Sequence, residues 1–169
     1  SSRVREARKL VLELILSDHR MECPTCGRST NCELQELTRQ YGLADIPFEG
    51  KKSPVKIDAS SPSLMRDSSK CILCLRCVAA CQNIQQVGAL FPSKRGFDTM
   101  ITTAFDAPLA DVSCVNCGQC ASVCPVGAIV EKDEISKVWD AINDPNKYVV
   151  VQTAPAIRAA IGEEFGLEP

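Results

Sequence analysis

CILCLRCVAAC, residues 71–81, and CVNCGQCASVC, residues 114–124, share one cysteine spacing, C-x2-C-x2-C-x3-C. Three thiolates on a tight loop can grip three corners of an iron–sulfur cube while backbone N–H groups point at its sulfides. The fourth cysteine starts a following helix and cannot curl back to the same cube, but it can reach a neighbouring one. The spacing therefore predicts crossed ligand sets for two 4Fe–4S clusters. Cys71, Cys74 and Cys77 join Cys124 around one; Cys114, Cys117 and Cys120 join Cys81 around the other. Zinc fits these runs poorly, because zinc sites take two cysteine pairs separated by a longer loop.

The runs lie in an imperfect internal repeat. Val87-Gly88-Ala89-Leu90 follows the first and Val126-Gly127-Ala128-Ile129 the second, each reading as a short strand. The segment between them, GALFPSKRGFDTMITTAF, reads as a hairpin: an apolar strand, a Pro-Ser-Lys-Arg-Gly turn and a β-branched strand. Pro125 follows Cys124, but Gln82 follows Cys81, and Leu75 stands where Gly118 stands in the other copy. Leucine is bulkier than glycine and adopts a positive φ at greater cost. The first cluster is therefore expected to be drier than the second, and the two need not be equivalent in potential. Spacing and repeat together are those of a two-cluster bacterial ferredoxin.

The chain has 11 cysteines in 169 residues, an odd number gathered in tight groups at 23–32, 71–81 and 114–124. That grouping suits metal rather than a disulfide framework. The first group, in DHRMECPTCGRSTNC at 18–32, has only Cys23, Cys26 and Cys32, and it contains the single histidine. His19 is read as the fourth ligand of a third site. Cys3His is also a standard structural zinc set, so zinc stays a rival for this site on the residues alone. Two iron–sulfur sites in the same chain favour a third 4Fe–4S cluster. A neutral imidazole in place of one thiolate should then raise its potential relative to an all-cysteine cluster.

The rest of the sequence bounds the function. The net charge is −2, so no basic surface advertises nucleic acid as a partner. No stretch approaches the roughly 18 apolar residues of a membrane span, and SSRVREARKL at the N-terminus has no apolar signal core. A cytoplasmic setting without nucleic acid or membrane partners is expected. There is no Ser-His-Asp set, no glycine-rich phosphate loop and no second histidine, so no catalytic residue is expected and a hydrolase or kinase has no support. VREARKLVLELILS carries an apolar helical stripe at Val4, Ala7, Val11, Leu14 and Ile15, with Arg3, Arg5, Arg8 and Lys9 as a solvated face. CELQELTRQYG reads as a second helix stopped by Gly42. DEISKVWDAIND puts Ile135, Val138, Trp139 and Ile142 on one helix face for packing. YVVVQTAPAIRAAIGEEFG reads as a strand at Val149–Gln152, then a helix capped by Thr153 with Pro155 in its first turn.

These residues resemble a known family. SDHRMECPTCGRSTNCELQ is similar to the His-Cys cluster domain of the complex I large subunit, NAD-linked formate dehydrogenases and multi-cluster iron-only hydrogenases. IDASSPSLMRDSSKCILCLRCVAAC, RGFDT and VSCVNCGQCASVCPVGAI resemble the accessory-cluster region of iron-only hydrogenases and formate dehydrogenases. The final segment resembles the opening of the hydrogen-activating domain, and no cysteine follows Cys124, as a formate dehydrogenase would require. The resemblance implies an α+β chain. A small helical His-Cys domain (1–48) and a linker (49–67) precede a two-cluster ferredoxin-like domain with a trailing helix (68–147), and 148–169 begins a truncated hydrogen-activating domain. It also implies three 4Fe–4S clusters relaying electrons inside an anaerobic, NAD(P)- or ferredoxin-linked oxidoreductase, with no substrate chemistry in this segment. Implied partners are the rest of the hydrogenase subunit, a flavin- and NAD(P)-binding subunit, a small 2Fe–2S subunit, and ferredoxin. A di-iron hydrogen-activating cluster and a 2Fe–2S centre are implied outside this chain. The relay arm of a formate dehydrogenase, and a ferredoxin-like module with structural zinc at the first site, are the alternatives.

Overall fold

A computed structural model describes residues 1–50 and 52–166; positions 167–169 of the final segment lie outside the described residues. Helix α1, Ser2–Asp18, and helix α2, Glu33–Tyr41, pack against each other and carry the first cysteine group between them. Gly42 ends α2 in the left-handed conformation (φ 64°), as its place after the last apolar position predicts. The buried positions of α1 are Leu12 and Leu16, not the expected stripe: Val4, Val11 and Leu14 are about half exposed. Leu12, Ile15 and Leu16 form the core-facing row, one turn apart, and this row leads directly to His19. Arg5 is not simply solvated. It donates to the Gln40 carbonyl (3.2 Å) at the end of α2 and lies over the Tyr41 ring, 5.5 Å from its centroid.

The stretch 49–67, read above as a linker, supplies strand β1, Ile57–Asp58, and the central strand β2, Leu64–Asp67. β2 pairs antiparallel with β1 on one side and with β5, Ile129–Glu131, on the other, with Leu64 opposite Glu131 and Arg66 opposite Ile129. Buried Ser61 explains why so short a strand is fixed. Its hydroxyl accepts from Leu64 N–H (3.2 Å) and donates to Asn116 Oδ1 (2.9 Å), tying β2 to the second cysteine loop. The predicted hairpin forms from β3, Phe91–Ser93, and β4, Met100–Thr102, in register Phe91 to Thr102. Lys94 and Gly96 turn it with positive φ.

The two strands expected directly after the cysteine runs start later than their sequences suggest. Val87 and Gly88 spend their N–H groups on the Cys81 carbonyl, and Gly88 is left-handed (φ 69°), so extended chain begins only at Phe91. Val126 and Ala128 are core residues, and pairing begins at Ile129. Cys77 and Val78 lie on helix α3, Arg76–Ala79, which continues as a π-turn over Ala80–Ile84. Ala121 lies on helix α4, Gln119–Ser122. Leu64, Leu90 and Val126 are 2% exposed or less, and one core joins them to Leu12, Leu16 and Leu34 of the N-terminal helices. Each such side chain contributes roughly 1.5–3 kcal/mol through burial. That continuity makes 1–132 one compact unit.

Residues from 133 onward form a second unit. Helix α5, Ile135–Asn143, forms as its periodicity predicts, but Ile135, Val138, Trp139 and Ile142 are about half exposed or more. Val149–Gln152 is not a strand: among the described residues no strand neighbours it, so its N–H and C=O groups gain no ladder partners from being extended, and Val150 and Val151 are largely exposed. Helix α6, Pro155–Glu164, begins with Pro155 as its first residue and Ala154, not Thr153, as its cap. Among the described residues no helix is long and apolar enough to cross a membrane.

Candidate metal centres

Each ferredoxin-like loop wraps by the same device. The second residue after the first cysteine and the fourth are both left-handed: Leu73 (φ 54°) and Leu75 (φ 62°) in one loop, Asn116 (φ 54°) and Gly118 (φ 74°) in the other. These reversals turn successive amides inward, and Leu73 N–H points at Cys71 Sγ (3.4 Å). Glycine and asparagine accept this conformation readily; for leucine it costs roughly 1–2 kcal/mol per residue. The first loop therefore holds strain that the second does not.

The left-handed turn places Leu75, itself 46% exposed, at the rim of the first set. Leu75 lines a cavity of about 50 Å3 together with Cys71, Cys74, Cys77 and Cys124. A tighter one of about 20 Å3 is lined by Cys81, Cys114, Cys117 and Cys120. The fourth cysteine of each run thus faces the cavity of the other run. In the first set Cys77 and Cys124 are buried; in the second none is, while Cys74 and Cys117, at equivalent positions, are both exposed. The difference has the direction expected from Leu75 in the first loop standing where Gly118 stands in the second. Replacement Leu75→Gly is expected to relieve the left-handed leucine and admit water beside the first set. The check is the rate at which the visible chromophore bleaches under a ferric chelator, expected to rise at an unchanged or higher thermal midpoint. An unchanged rate would deny Leu75 this covering role.

Electrostatics group the thiols the same way. Burial pushes the Cys77 thiol up to about 12, and negative charge on Cys71, Cys124 and Cys74 pushes in the same direction. Burial raises Cys120 to about 11, with Cys114, Cys117 and Cys81 adding to it against the opposing Ala121 N–H. Burial also raises Cys71, again with Cys124 and Cys74 adding. Thiols packed this closely out of water become thiolates when a cation takes the place of their protons.

The first cysteine group is organised by helix ends. His19 caps the C-terminus of α1, its N–H bonded to the Ile15 carbonyl (3.1 Å). Cys23 opens a 3-10 turn at Cys23–Thr25, Cys26 closes it, and Cys32 caps the N-terminus of α2. His19, Cys23, Cys26 and Cys32 line one open cavity of about 800 Å3. Burial and then the Lys70 ammonium hold the imidazole below its ordinary range, so it is neutral near pH 7; the Lys70 carbonyl, Asp18 and Asp67 oppose this more weakly. His19 Nδ1 is buried without a hydrogen-bond partner. A neutral ring with an orphaned buried nitrogen, beside three thiols, fits a metal ligand. Among the described residues no three His, Cys, Asp or Glu side chains close on one point as a single bound ion would require. Each set of four lines a shared cavity.

Residues absent from the ligand reading join the first cavity to that of Cys71, Cys74, Cys77 and Cys124. Arg28 donates to the carbonyls of Ala121 (2.9 Å) and Cys124 (2.8 Å). Glu33 N–H donates to Pro125 O (3.0 Å), and its carboxylate receives both Arg76 guanidinium nitrogens at 2.6 and 2.8 Å. Arg20 N–H donates to Ser69 O (3.1 Å). So the chain beside His19, Cys26 and Cys32 is bonded to the chain beside Cys71, Cys124 and Cys77. Gly127 completes the contact, since a Cβ there would collide with Cys26 Sγ. Its repeat partner Gly88 has a positive φ and open space around it. The two glycines look equivalent in sequence and serve different ends, which is why the close approach at Gly127 is missed by sequence reasoning.

Two family models match. Residues 8–47 match the NADH-ubiquinone oxidoreductase-G iron-sulfur binding region, and residues 70–128 match the 4Fe-4S dicluster domain. The chain joins these two iron–sulfur modules in one protein. The module pair is 46% identical over 169 residues to the NADP-reducing hydrogenase subunit HndD of Solidesulfovibrio fructosivorans, covering 100% of this chain and 29% of that protein. It is 38% identical over 169 residues to iron hydrogenase 1 of Clostridium pasteurianum, covering 99% of this chain and 29% of that one. A chain of the crystal structure of an NAD+-reducing NiFe-hydrogenase in the H2-reduced state superposes with a TM-score of 0.72 at 31% identity, over 78% of this chain and 56% of that one. The chain thus spans under a third of the curated relatives it matches, and all three are parts of oxidoreductases. It is an iron–sulfur electron-transfer module.

Proposed function

We propose that the module carries single electrons across three 4Fe–4S clusters. His19, Cys23, Cys26 and Cys32 would hold the first; Cys71, Cys74, Cys77 and Cys124 the second; Cys114, Cys117, Cys120 and Cys81 the third. The observation that carries this reading is that each set of four lines its own cavity, including the fourth cysteines that cross between runs. When bound, the clusters supply reversible one-electron storage. The chain's residues supply thiolates, amides directed at sulfur, and cover from water. The contacts between the first and second sets support the order first, second, third along the wire.

In this reading 1–48 is the His-Cys domain, 68–147 the ferredoxin-like domain with its trailing helix, and 148–169 the opening of a hydrogen-activating domain. The parent is a cytoplasmic iron-only hydrogenase subunit. It passes electrons between a flavoprotein partner using NAD(P)H, or ferredoxin, and a hydrogen-activating site outside this chain. Identity of 46% and 38% to two proteins named as hydrogenases, over 100% and 99% of this chain, supports that parent. The likeness to a chain of a NiFe-hydrogenase structure, over 78% of this chain, supports a relay whose design does not depend on which metal site it serves.

An anaerobic reductive titration followed by low-temperature EPR tests the relay. Uptake of about three electrons per chain, with signals broadened by neighbouring spins, is expected for three clusters. Uptake of about two, with no signal carrying imidazole nitrogen coupling, would overturn the three-cluster reading.

A further inference from the structure

Between the first and second cavities lies a buried ion pair that coordinates nothing. Lys70 Nζ is 3.2 Å from Asp67 Oδ2, with the side chains 14% and 6% exposed. The carboxylate end of the pair is fixed by hydrogen bonds. Asp67 Oδ1 accepts from Ser69 N–H (3.0 Å) and the Ser69 hydroxyl (2.6 Å), and Asp67 N–H donates to Ala128 O (2.8 Å). Lys70 Cδ lies 3.6 Å from the Cβ position of Gly127, the same point that Cys26 Sγ crowds from the other side. The two charges face different sites. Asp67 lines the cavity of Cys71, Cys74, Cys77 and Cys124. The Lys70 side chain runs beside Gly127, which lines the other cavity with His19, Cys23, Cys26 and Cys32.

We infer that the Lys70–Asp67 pair sets the energy step between these two sites, drawing an electron toward the His19 site and away from the Cys71 site. The inference rests on the three-cluster reading above. A fixed dipole between two carriers stabilises added negative charge at its positive end and opposes it at its negative end, and little water intervenes to screen it. Most of the other charges lining these cavities are paired. Arg66 with Asp58 and Lys56 with Asp106 both line the second cavity, so each pair largely cancels there. Arg20 and Arg39 line the first but pair with Glu22 and Glu36 at exposed positions. Glu33 and Arg76 are 56% and 48% exposed and are screened by solvent and salt. Arg28 is bonded to carbonyl oxygens beside Cys124 and lines the first cavity, so it adds to the pull of Lys70.

EPR-monitored potentiometric titration of the cluster-loaded protein tests this, with the His19 cluster recognised by its imidazole nitrogen coupling. Lys70→Gln is expected to lower the midpoint of the His19 cluster, and Asp67→Asn to raise that of the Cys71 cluster. Either single variant leaves one buried charge without its partner and can fail to fold. The decisive protein is therefore the neutral double variant Asp67→Asn/Lys70→Gln. In its half-reduced form the electron distribution should shift toward the Cys71 cluster by roughly tenfold or more. A double variant with wild-type iron content and an unchanged separation of midpoints overturns the inference. Wild-type protein without three clusters overturns the functional reading instead, so the two failures are distinguishable.

Discussion

Replacement Cys124→Ala is expected to damage the cluster of Cys71, Cys74 and Cys77, although Cys124 belongs to the other sequence run. The cause lies in the short helix α4. It ends just before Cys124, which is buried and lines the first run's cavity. Alanine removes one thiolate of four and leaves the backbone contacts of Cys124 with Arg28 intact. Iron content should fall by between one and about four per chain, and the lost signal should be that of the Cys71 set. Cys81→Ala is expected to do the reverse, damaging the site of Cys114, Cys117 and Cys120. Low-temperature EPR of each variant, beside iron analysis, distinguishes the outcomes. Loss at the Cys114 set in Cys124→Ala would mean that each run closes on its own cluster.

Gly127→Val should abolish the His19 site while sparing the other two. The added carbons would occupy the place of Cys26 Sγ. The backbone cannot retreat easily, because Val126 and Ala128 are 1% and 6% exposed within the core. Cys26 must therefore move away from His19, Cys23 and Cys32. The expected protein binds about eight irons rather than about twelve and lacks the signal with imidazole coupling. Gly88→Ala is the control. It strains a left-handed residue at a cost of about 1–2 kcal/mol but meets no atom within 4 Å, so all three sites should survive. A Gly127→Val protein with a full complement of iron would show that the first site tolerates displacement of Cys26.

The parts of this chain that read correctly from sequence are those in which one local rule decides. Gly42 ending α2, the hairpin turn around Gly96, and Pro155 opening α6 are such cases. The cysteine spacing agrees with a lining in which Cys124 joins Cys71, Cys74 and Cys77, and Cys81 joins Cys114, Cys117 and Cys120; the ligand sets built on it are the proposal made above. The misread parts depended on tertiary partners. In α1 every turn offers apolar residues, and only contact with α2 and the ferredoxin-like core selects Leu12 and Leu16 over Val11 and Leu14. Leu64–Asp67 sits in a Ser- and Pro-rich stretch, yet it becomes the central strand because β1 and β5 flank it and Ser61 anchors it. Val149–Gln152 has ideal strand composition and, among the described residues, no strand to pair with. Among the proposed site residues, the cysteines and His19 stand out by type. Gly127, Arg28, Lys70 and Asp67 act across the join between the two cysteine regions, and no spacing within one segment encodes that join.

The central claim is that three clusters, not two and a structural ion, occupy this chain. Iron, zinc and acid-labile sulfide content of anaerobically purified protein measures it most directly. About twelve irons and twelve sulfides per chain without zinc is the expected result. About eight irons and one zinc would contradict it, making the His19 site a structural clip and starting the electron path at the ferredoxin-like pair.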